Sequence, residues 1–271
     1  MTKPTRWTKI CGELLLRIRD RHPLVHHITN FVVMNDTANA TLALGATPVM
    51  AHAKAEVAEM VGMASALVLN PGTLTPDWVV AMVLAGQRAN KLGMPVIYDP
   101  VGVGATKFRT TTGQLFLKKL HLTVIRGNSG EIGALAGADG VVRGVDSVKG
   151  VADPVRVAQN LAQQSSAVVA ITGKRDFVSD GRRTLGVDNG HALLQTITGS
   201  GCMATTAIAA FCAVEKDYLL ATTAALACYG LAAERAARQT RGPGSFRVAL
   251  MDALYQLTPA QIKTGIRIAE L

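Results

Sequence analysis

The sequence predicts an α/β fold in which helices cover both faces of a mostly parallel sheet. Short β-branched apolar runs alternate along the chain with longer segments of helical period, which is the pattern of repeated strand and helix units. Several runs are apolar at every position, as at residues 67–69 and 168–171, and such strands are typical of sheets buried on both sides. No linker, low-complexity stretch or fixed-period repeat divides the 271 residues, so we expect a single domain over residues 1–271.

The individual elements follow from local patterns. The clearest predicted strands are residues 66–69, 95–98, 123–125 and 167–171, and the clearest helices are residues 76–91, 153–164 and 202–214. After Thr172 come short stretches at residues 177–179, 184–187 and 192–194, separated by Asp180-Gly181 and Asn189-Gly190. Both dipeptides are hairpin-turn signals, so they predict an antiparallel edge on the sheet. The chain from Gly201 onward is largely helical and rich in alanine.

Composition favours a cytoplasmic globular protein over a nucleic-acid or membrane protein. The net charge is +9, but the basic residues are scattered and aromatics make up only 4% of the chain, which disfavours nucleic-acid binding. Charged, Gly or Pro residues interrupt every apolar run before it could span a bilayer, and the first 20 residues lack a signal-peptide pattern. The four cysteines, Cys11, Cys202, Cys212 and Cys228, form no CxxC pair, which argues against a disulfide framework and a structural zinc site.

Polar or Gly-rich turns follow the four clearest strands. They occupy residues 70–73, 99–104, 126–128 and 172–174. In open α/β sheets, ligands bind just outside the carboxyl ends of the strands. The sequence therefore predicts that these four turns share one rim and that the rim carries the site.

The most informative local pattern is a Gly-rich turn at residues 198–201 that runs directly into an apolar helix. Gly199 and Gly201 allow the backbone to approach a ligand, and the free amides of a first helical turn can bind a phosphate or stabilise the charge that develops during phosphoryl transfer. Cys202 sits where the helix begins, so the helix dipole is expected to lower its thiol pKa and let it act as a base. An ordinary turn before a core helix, with a buried cysteine, is the alternative.

Two acidic residues and one arginine are candidates for the remaining phosphoryl-transfer chemistry. Asp99 follows a predicted strand, and Glu131 lies at the start of the helix after residues 126–128. Carboxylates at neighbouring strand ends could hold Mg²⁺, in part through water, although either could instead cap a helix. Arg126 offers a fixed cation to nucleotide phosphates, with a surface ion pair as its alternative role.

Several other assignments are disfavoured. The chain has no GxxxxGK[ST] P-loop, no complete protein-kinase motif set and no GxGxxG turn of a dinucleotide fold. His26 and His27 are adjacent and point in opposite directions, so a two-histidine metal site is geometrically poor and a polar loop is expected there. Asn30 could bind a ring nitrogen or a hydroxyl, whereas Met50 considered alone is more typical of a core.

Seven segments in series resemble hydroxyethylthiazole kinases of the ribokinase-like superfamily. They read HITN at 27–30, GATPVM at 45–50, NPGTL at 70–74, DPVGVGA at 99–105, RGN at 126–128 with Glu131, TGKRDFVSDG at 172–181 and TGSGC at 198–202. The resemblance implies a ribokinase-like three-layer α/β/α fold without a lid, and a homotrimer with active sites shared between subunits. It also implies Mg²⁺-dependent transfer of the ATP γ-phosphate to 4-methyl-5-(2-hydroxyethyl)thiazole in thiamine salvage.

The resemblance also assigns roles to individual residues by position. Arg126 and Thr172 look like nucleotide contacts, and Met50 and Gly199 look like substrate contacts. Asn30, Gly72 and Thr73 resemble residues that enclose the thiazole. Asp99 and Glu131 resemble the acidic residues around Mg²⁺ and the phosphates. Gly199, Gly201 and Cys202 form the expected catalytic turn. Many family members have Thr at the position of Ser200, a change that keeps the hydroxyl.

Three competing functions remain to be distinguished at this stage. A hydroxymethylpyrimidine kinase or an ATP-dependent dehydratase acting on hydrated nicotinamide nucleotides would be expected to carry Asp in place of Cys202. A nucleotide-sensing protein without catalytic activity would be favoured by loss of Asp99, Glu131 or Arg126, and all three are present.

Overall fold

A computed structural model describes residues 6–137 and 152–271 of the chain. The predicted domain over residues 1–271 therefore includes two segments, 1–5 and 138–151, that lie outside the described residues. The helices are α1 Arg6–Arg21, α2 Met34–Leu44, α3 Val57–Met63, α4 Pro76–Lys91, α5 Lys107–Lys119, α6 Ser129–Gly137, α7 Pro154–Ser165, α8 Ser200–Cys212, α9 Tyr218–Ala237, α10 Pro243–Tyr255 and α11 Pro259–Gly265. The strands are β1 Leu24–Ile28, β2 Thr47–Val49, β3 Ala66–Leu69, β4 Val96–Tyr98, β5 Val124–Asn128, β6 Val168–Thr172, β7 Asp176–Ser179, β8 Thr184–Val187 and β9 Ile268–Glu270.

These strands form one sheet in the order β2-β1-β3-β4-β5-β6-β7-β8-β9. The first six strands in that order pair in parallel, and β7, β8 and β9 add an antiparallel edge. The predicted mostly parallel sheet with antiparallel edge strands is therefore confirmed. All strands in the described part of the chain belong to this sheet, so those residues supply no separate strands for a lid.

Helices cover the sheet on both faces because its strands are apolar on both sides. One core joins α1, α2, α8, α9, α10 and α11 to strand residues such as Val68 and Ala170. The other joins α3, α4, α5, α6 and α7 to the alternating strand residues, such as Leu69 and Val169. Successive residues of one strand thus enter different cores, which produces the three-layer α/β/α arrangement.

The antiparallel edge differs from the sequence prediction in its last strand. β7 and β8 form the predicted hairpin around Asp180-Gly181, and Gly181 has a positive φ of 85°. Residues 192–194, predicted as the third strand, instead lie in a 3₁₀ helix, Ala192–Thr196, so Asn189-Gly190 does not close a hairpin. The third antiparallel strand is β9, near the end of the chain, which pairs with β8.

Three predicted loop segments also prove to lie in strands, at least in part. β5 extends through Arg126 and Gly127 to Asn128, and β6 includes Thr172, so these polar residues lie in the last sheet positions instead of in the turns beyond them. His26 and His27, expected in a polar loop, are buried in β1. Among the described residues, no helix has both the length and the hydropathy to cross a membrane.

Candidate active site

The candidate residues lie at the carboxyl ends of neighbouring parallel strands. Asn30 follows β1, Met50 follows β2, Gly72 and Thr73 follow β3, and Asp99 follows β4. Arg126 and Thr172 are near the ends of β5 and β6, and Asn128 pairs with Thr172 in the sheet register. The predicted single rim therefore exists, and it faces the beginning of α8.

Asp99 is the centre of a buried hydrogen-bond cluster. Its Oδ2 accepts hydrogen bonds from Asn70 Nδ2 at 3.1 Å and from the Thr205 hydroxyl at 2.9 Å. Arg126 Nη1 lies 3.7 Å from the same oxygen. Asp99 has no exposed surface, and its Oδ1 has no hydrogen-bond partner within the described residues. The cluster thus connects the end of β4 to the end of β3 and to α8. It leaves one buried carboxylate oxygen that can accept a further hydrogen bond.

Burial changes the acidity of Asp99. Desolvation raises the pKa of this carboxyl to about 6, against the opposing effect of the neighbouring Arg126 charge. Because the pKa in the folded protein lies above the ordinary value, ionisation of Asp99 opposes folding. Its contribution to stability is complete at low pH and is lost as the pH rises through about 6. Near neutral pH the group is largely ionised, beside the cation that offsets part of this cost.

Arg126 connects Asp99 to the neighbouring strand and to α8. Its Nη2 donates a short hydrogen bond to the Thr172 hydroxyl, and its residue exposure is only 9%. A Cβ on Gly201 would lie 2.5 Å from Arg126 Nη1, so the absence of a side chain at Gly201 makes room for the guanidinium. Arg126 is therefore a nearly buried, well-held cation, and the alternative of a surface ion pair does not apply.

The start of α8 opens onto a cavity of about 850 Å³. Ser200 and Gly201, in the first turn of α8, line this cavity together with residues of β5, β6, β7, α9 and the turn between β6 and β7. Prominent among them are Arg126, Asn128, Thr172, Lys174, Asp176 and Tyr229. Free helix amides, an arginine and a lysine facing one cavity form a favourable site for an anion. The cavity volume is in the range of small-molecule binding sites.

The geometry of the turn before α8 depends on glycine. Gly199 is the residue that precedes the helix and has a left-handed φ of 79°. A Cβ at Gly199 would also lie 2.7 Å from Val33 Cγ1, so both backbone conformation and space exclude a larger residue. Tyr229 supports the next position, since its hydroxyl donates to the Ser200 carbonyl at 2.8 Å. The helix begins at Ser200, two residues earlier than predicted, and Cys202 is its third residue.

Cys202 faces the asparagine side of the cluster and not a cation. Asn70 Nδ2 lies 3.1 Å from its Sγ, and Asn30 Nδ2 lies 3.9 Å from it. Desolvation, with a further contribution from the Asp99 charge, raises the pKa of this thiol to about 12. The expectation that the helix dipole lowers the Cys202 pKa is therefore wrong, because burial and the adjacent carboxylate outweigh the helix terminus.

Asn30 organises the opposite wall of the site. Its Nδ2 donates to Asn70 Oδ1 at 2.8 Å, and a Cβ on Gly72 would lie 2.6 Å from the same nitrogen. Thr73 is bound to the same segment, since its hydroxyl accepts from Phe31 N at 3.1 Å. Asn30, Gly72 and Thr73 thus lie close together, with Asn30 next to Cys202.

Met50 is half-buried and lies one residue beyond β2, the strand that pairs with β1. The carbonyl of the next residue, Ala51, is hydrogen-bonded to His26 Nε2 at 2.6 Å. The buried histidine of β1 therefore fixes the segment that carries Met50.

Glu131 occupies a different part of the rim. Its Oε1 accepts from Gly102 N at 3.0 Å and its Oε2 from Asn128 N at 2.9 Å, while Glu131 N donates to Asn128 Oδ1 at 2.9 Å. Glu131 thus performs the capping role that was its alternative, and it also lies close enough to Asp99 for its charge to raise the pKa of that group.

The two acids fit a Mg²⁺ ion held largely by water and phosphate oxygens. Magnesium usually binds proteins through one or two carboxylates and keeps several waters. The unpartnered Oδ1 of Asp99 and the two Glu131 oxygens, each with one amide donor, retain acceptor capacity. Within residues 6–137 and 152–271, no cluster of three or more His, Cys, Asp or Glu side chains could enclose a metal, so an all-protein cage is not part of this arrangement.

Sequence reasoning missed four residues that the structure brings to the site. Asn70 lies in a turn that the sequence had placed on the rim, so its position was a usable signal. Thr205 and Tyr229 are inside apolar helices, where nothing in the local pattern marks them. Asp176 begins β7, lines the cavity and accepts from Gly173 N at 2.9 Å, and burial raises its pKa to about 6.

Comparison with known proteins gives a consistent family match. A sequence model of the hydroxyethylthiazole kinase family matches residues 15–260. A hydroxyethylthiazole kinase from Chloroflexus aggregans (strain MD-66 / DSM 9485) is 61% identical over 260 residues, covering 96% of this chain and 94% of the relative.

Solved structures agree with this match. The structure of a hydroxyethylthiazole kinase protein from Pyrococcus horikoshii OT3 superposes with a TM-score of 0.90 at 48% identity, covering 97% of this chain and 99% of the other. A ribokinase-like superfamily protein from Enterococcus faecalis V583 superposes with a TM-score of 0.66 at 12% identity, covering 96% and 99% of the two chains. This second likeness concerns the fold alone, and it agrees with the ribokinase-like α/β/α architecture.

Proposed function

Because this chain belongs to the hydroxyethylthiazole kinase family, and is therefore a kinase, we propose that it transfers the γ-phosphate of ATP to the primary alcohol of 4-methyl-5-(2-hydroxyethyl)thiazole in thiamine salvage. The observation that carries the proposal is the placement of α8. Its first turn faces the cavity through Ser200 and Gly201, while Cys202 faces Asn30 and Asn70 on the other side. A phosphoryl donor and an alcohol acceptor can therefore meet at one helix terminus.

The donor side of the proposal is the cavity. Arg126 and Thr172 bind the nucleotide phosphates, supported by Asp176, which holds the Gly173 amide. The amides of the α8 turn, with Gly199 and Gly201 permitting close approach, stabilise the charge on the transferred group. These assignments follow from a buried cation and free helix amides that line the same space.

The acceptor side is the surface formed by Asn30, Gly72, Thr73 and Met50. Asn30 approaches Cys202 from this side, and Gly199 in the turn before α8 lies against Val33, so the hydroxyethyl arm of the thiazole is directed toward the γ-phosphorus. In-line attack then depends mainly on alignment and charge stabilisation. Cys202 supplies no ionised base for this step, because its thiol, with a pKa of about 12, is neutral near pH 7.

A divalent cation completes the proposal. Asp99 and Glu131 would hold Mg²⁺ beside the phosphates, in part through water, and bound Mg²⁺ would neutralise charge on the phosphate oxygens. Asp99 also fixes Asn70, and through it the position of the Cys202 thiol. Asp99 thus contributes to both the metal side and the acceptor side.

The assembly belongs to the proposal as well. We propose a homotrimer with the active site at a subunit interface, in the cytoplasm, where ATP is available. Phe31 and Val32 follow Asn30 directly and are 63% and 61% exposed. Large apolar side chains exposed beside a site are typical of surfaces that another chain covers.

One assay tests the catalytic proposal. The protein is incubated with Mg-ATP and a panel of thiazole, pyrimidine and sugar alcohols, and the products are identified by mass. We expect the phosphate ester of the thiazole alcohol as the main product, and none without Mg²⁺. Phosphorylation of a pyrimidine alcohol with no thiazole product would defeat the assignment.

A further inference from the structure

Arg109 lies outside every motif considered above, in the first turns of α5. Its guanidinium makes three hydrogen bonds to backbone carbonyls of two separate turns. Nη1 donates to Pro71 O at 3.1 Å and to Val101 O at 3.0 Å, and Nη2 donates to Gly72 O at 2.7 Å. A planar guanidinium can hold two groups at a fixed separation in this way, which a lysine ammonium cannot.

The two turns that Arg109 joins belong to opposite sides of the candidate site. The turn with Pro71 and Gly72 follows β3, and Gly72 packs against the Asn30 amide. The turn with Val101 and Gly102 follows Asp99, and Gly102 N donates to Glu131. Arg109 therefore connects the acceptor-binding surface to the two acids.

Local backbone geometry shows that Arg109 is closely fitted to this position. Gly102 has a left-handed φ of 73°, and a Cβ there would lie 3.0 Å from Arg109 Cδ. Thr106 caps α5 by accepting from Arg109 N at 3.3 Å, which fixes the helix start from which the side chain extends. Each of these features holds the guanidinium between the two turns.

We propose that Arg109 is a positioning residue for the acceptor alcohol: by joining the Pro71–Gly72 turn to the Val101–Gly102 turn, it sets the separation between the alcohol and the acids around the phosphoryl group. This inference rests on the proposed function, since it assigns the first turn to the acceptor. Within the part of the chain that the structure describes, the Arg109 guanidinium donates only to backbone carbonyls, so its effect on the reaction is exerted through the two turns.

The kinetic test uses Arg109→Ala and Arg109→Lys in the full chain, with Arg88→Ala as the matched control. Arg88 is an exposed arginine in α4. With Mg-ATP and the thiazole alcohol, we expect Arg109→Ala to lower kcat/KM for the alcohol about 10- to 100-fold, mainly through KM, because a loosened turn at Pro71 and Gly72 weakens binding of the alcohol. Affinity for a non-hydrolysable ATP analogue should stay within about twofold. The Lys variant should fall between Ala and wild type, and Arg88→Ala should match wild type.

A second readout does not depend on catalysis. Amide hydrogen exchange in peptides that cover residues 70–74 and 99–105 should accelerate in Arg109→Ala in both segments, with Arg109→Lys intermediate and Arg88→Ala unchanged. If the wild-type protein phosphorylates no alcohol, the proposed function fails, but the exchange measurement still tests whether Arg109 joins the two turns. The inference would be overturned by unchanged exchange in either segment or by an unchanged kcat/KM for the alcohol. It would also be overturned if Arg109→Ala weakened binding of the alcohol and of the nucleotide equally, or if Arg109→Lys had wild-type kinetics.

Discussion

Asp99 shows how burial gives one residue an acidity suited to its place. Its carboxyl has no exposed surface and a pKa raised to about 6. The ionised form is the one that pairs with Arg126 and accepts hydrogen bonds from Asn70 and Thr205. Protonation would weaken those three contacts together, so the site should fail in mild acid.

We therefore expect kcat/KM for the alcohol to fall below about pH 6, reaching about a tenth of its plateau at pH 5. Asp176 has a similarly raised pKa, so Asp176→Asn is the control and should retain the acid limb. The measurement is a pH profile of initial rates, with thermal melts confirming the folded state at each pH. If activity stays constant down to pH 5, or if Asp176→Asn no longer loses activity in acid, then ionisation of Asp99 does not control the pH dependence.

Cys202 has the opposite character, a neutral thiol held by two amides. Because the thiolate is scarce near pH 7, we expect Cys202→Ser to lower turnover only about tenfold while nucleotide affinity stays nearly intact. Cys202→Asp should remain active, since a carboxylate can accept the alcohol proton and would meet the amides of Asn30 and Asn70. Steady-state rates and nucleotide titration measure both effects. Wild-type turnover in the Ser variant would exclude Cys202 from the mechanism, and a folded but inactive Asp variant would count against proton acceptance at this position.

At the level of secondary-structure elements, the beginning of α8 carries the most function. Its first turn must approach both Arg126 and a ligand, which only glycine at position 201 permits. Gly199 supplies the left-handed conformation that starts the helix. The element is thus specified by backbone geometry as much as by side chains.

Gly201→Ala should displace the Arg126 guanidinium and lower kcat/KM for ATP about 100-fold, with little change in melting temperature. The matched control is Gly244→Ala in α10, where an added Cβ meets no atom of residues 6–137 or 152–271 within 4 Å. Both variants are compared by steady-state kinetics with ATP as the varied substrate. A fully active Gly201→Ala enzyme would show that the close approach at this helix start is dispensable.

The elements that sequence predicted well are those with strong local signals. The strands at residues 66–69 and 167–171 have continuous apolar runs, and the hairpin at Asp180-Gly181 has matching turn chemistry. The 3₁₀ helix Ala192–Thr196 was mistaken for a strand because three apolar residues after a turn fit both structures. β9 was missed because its pairing with β8 joins segments more than eighty residues apart.

For the whole molecule, topology explains why distant motifs share one site. Six parallel strands direct their carboxyl ends to the same rim, so residues as far apart in sequence as Gly72 and Thr172 could be assigned there from pattern alone. The side-chain contacts across that rim could not be predicted from the pattern. The hydrogen bonds of Asn70, and the burial that raises the Cys202 pKa, depend on packing of α8 against β3 and β4. The single-domain organisation stays a prediction.

The proposed trimer makes a prediction at the same scale. Val32→Asp places a charge on the exposed apolar surface beside Asn30 and should convert a trimer to monomers, lowering kcat/KM for the alcohol about 100-fold because a buried unpaired charge is costly at an interface. The control is Leu92→Asp, an exposed position after α4 in the opposite helical layer. Light scattering gives the mass, and rates are taken at the same concentrations. Monomeric wild type, or a fully active monomeric variant, would refute the shared site.

The central claim is that donor and acceptor meet at the start of α8. Its most direct test is a crystal structure of the protein with Mg²⁺, a non-hydrolysable ATP analogue and the thiazole alcohol. We predict that the γ-phosphate accepts hydrogen bonds from amides of the turn at residues 199–202, with Arg126 and Thr172 on the nucleotide and the alcohol oxygen between Cys202 and the γ-phosphorus. A γ-phosphate bound away from that turn, or an alcohol on the far side of the sheet, would contradict the account.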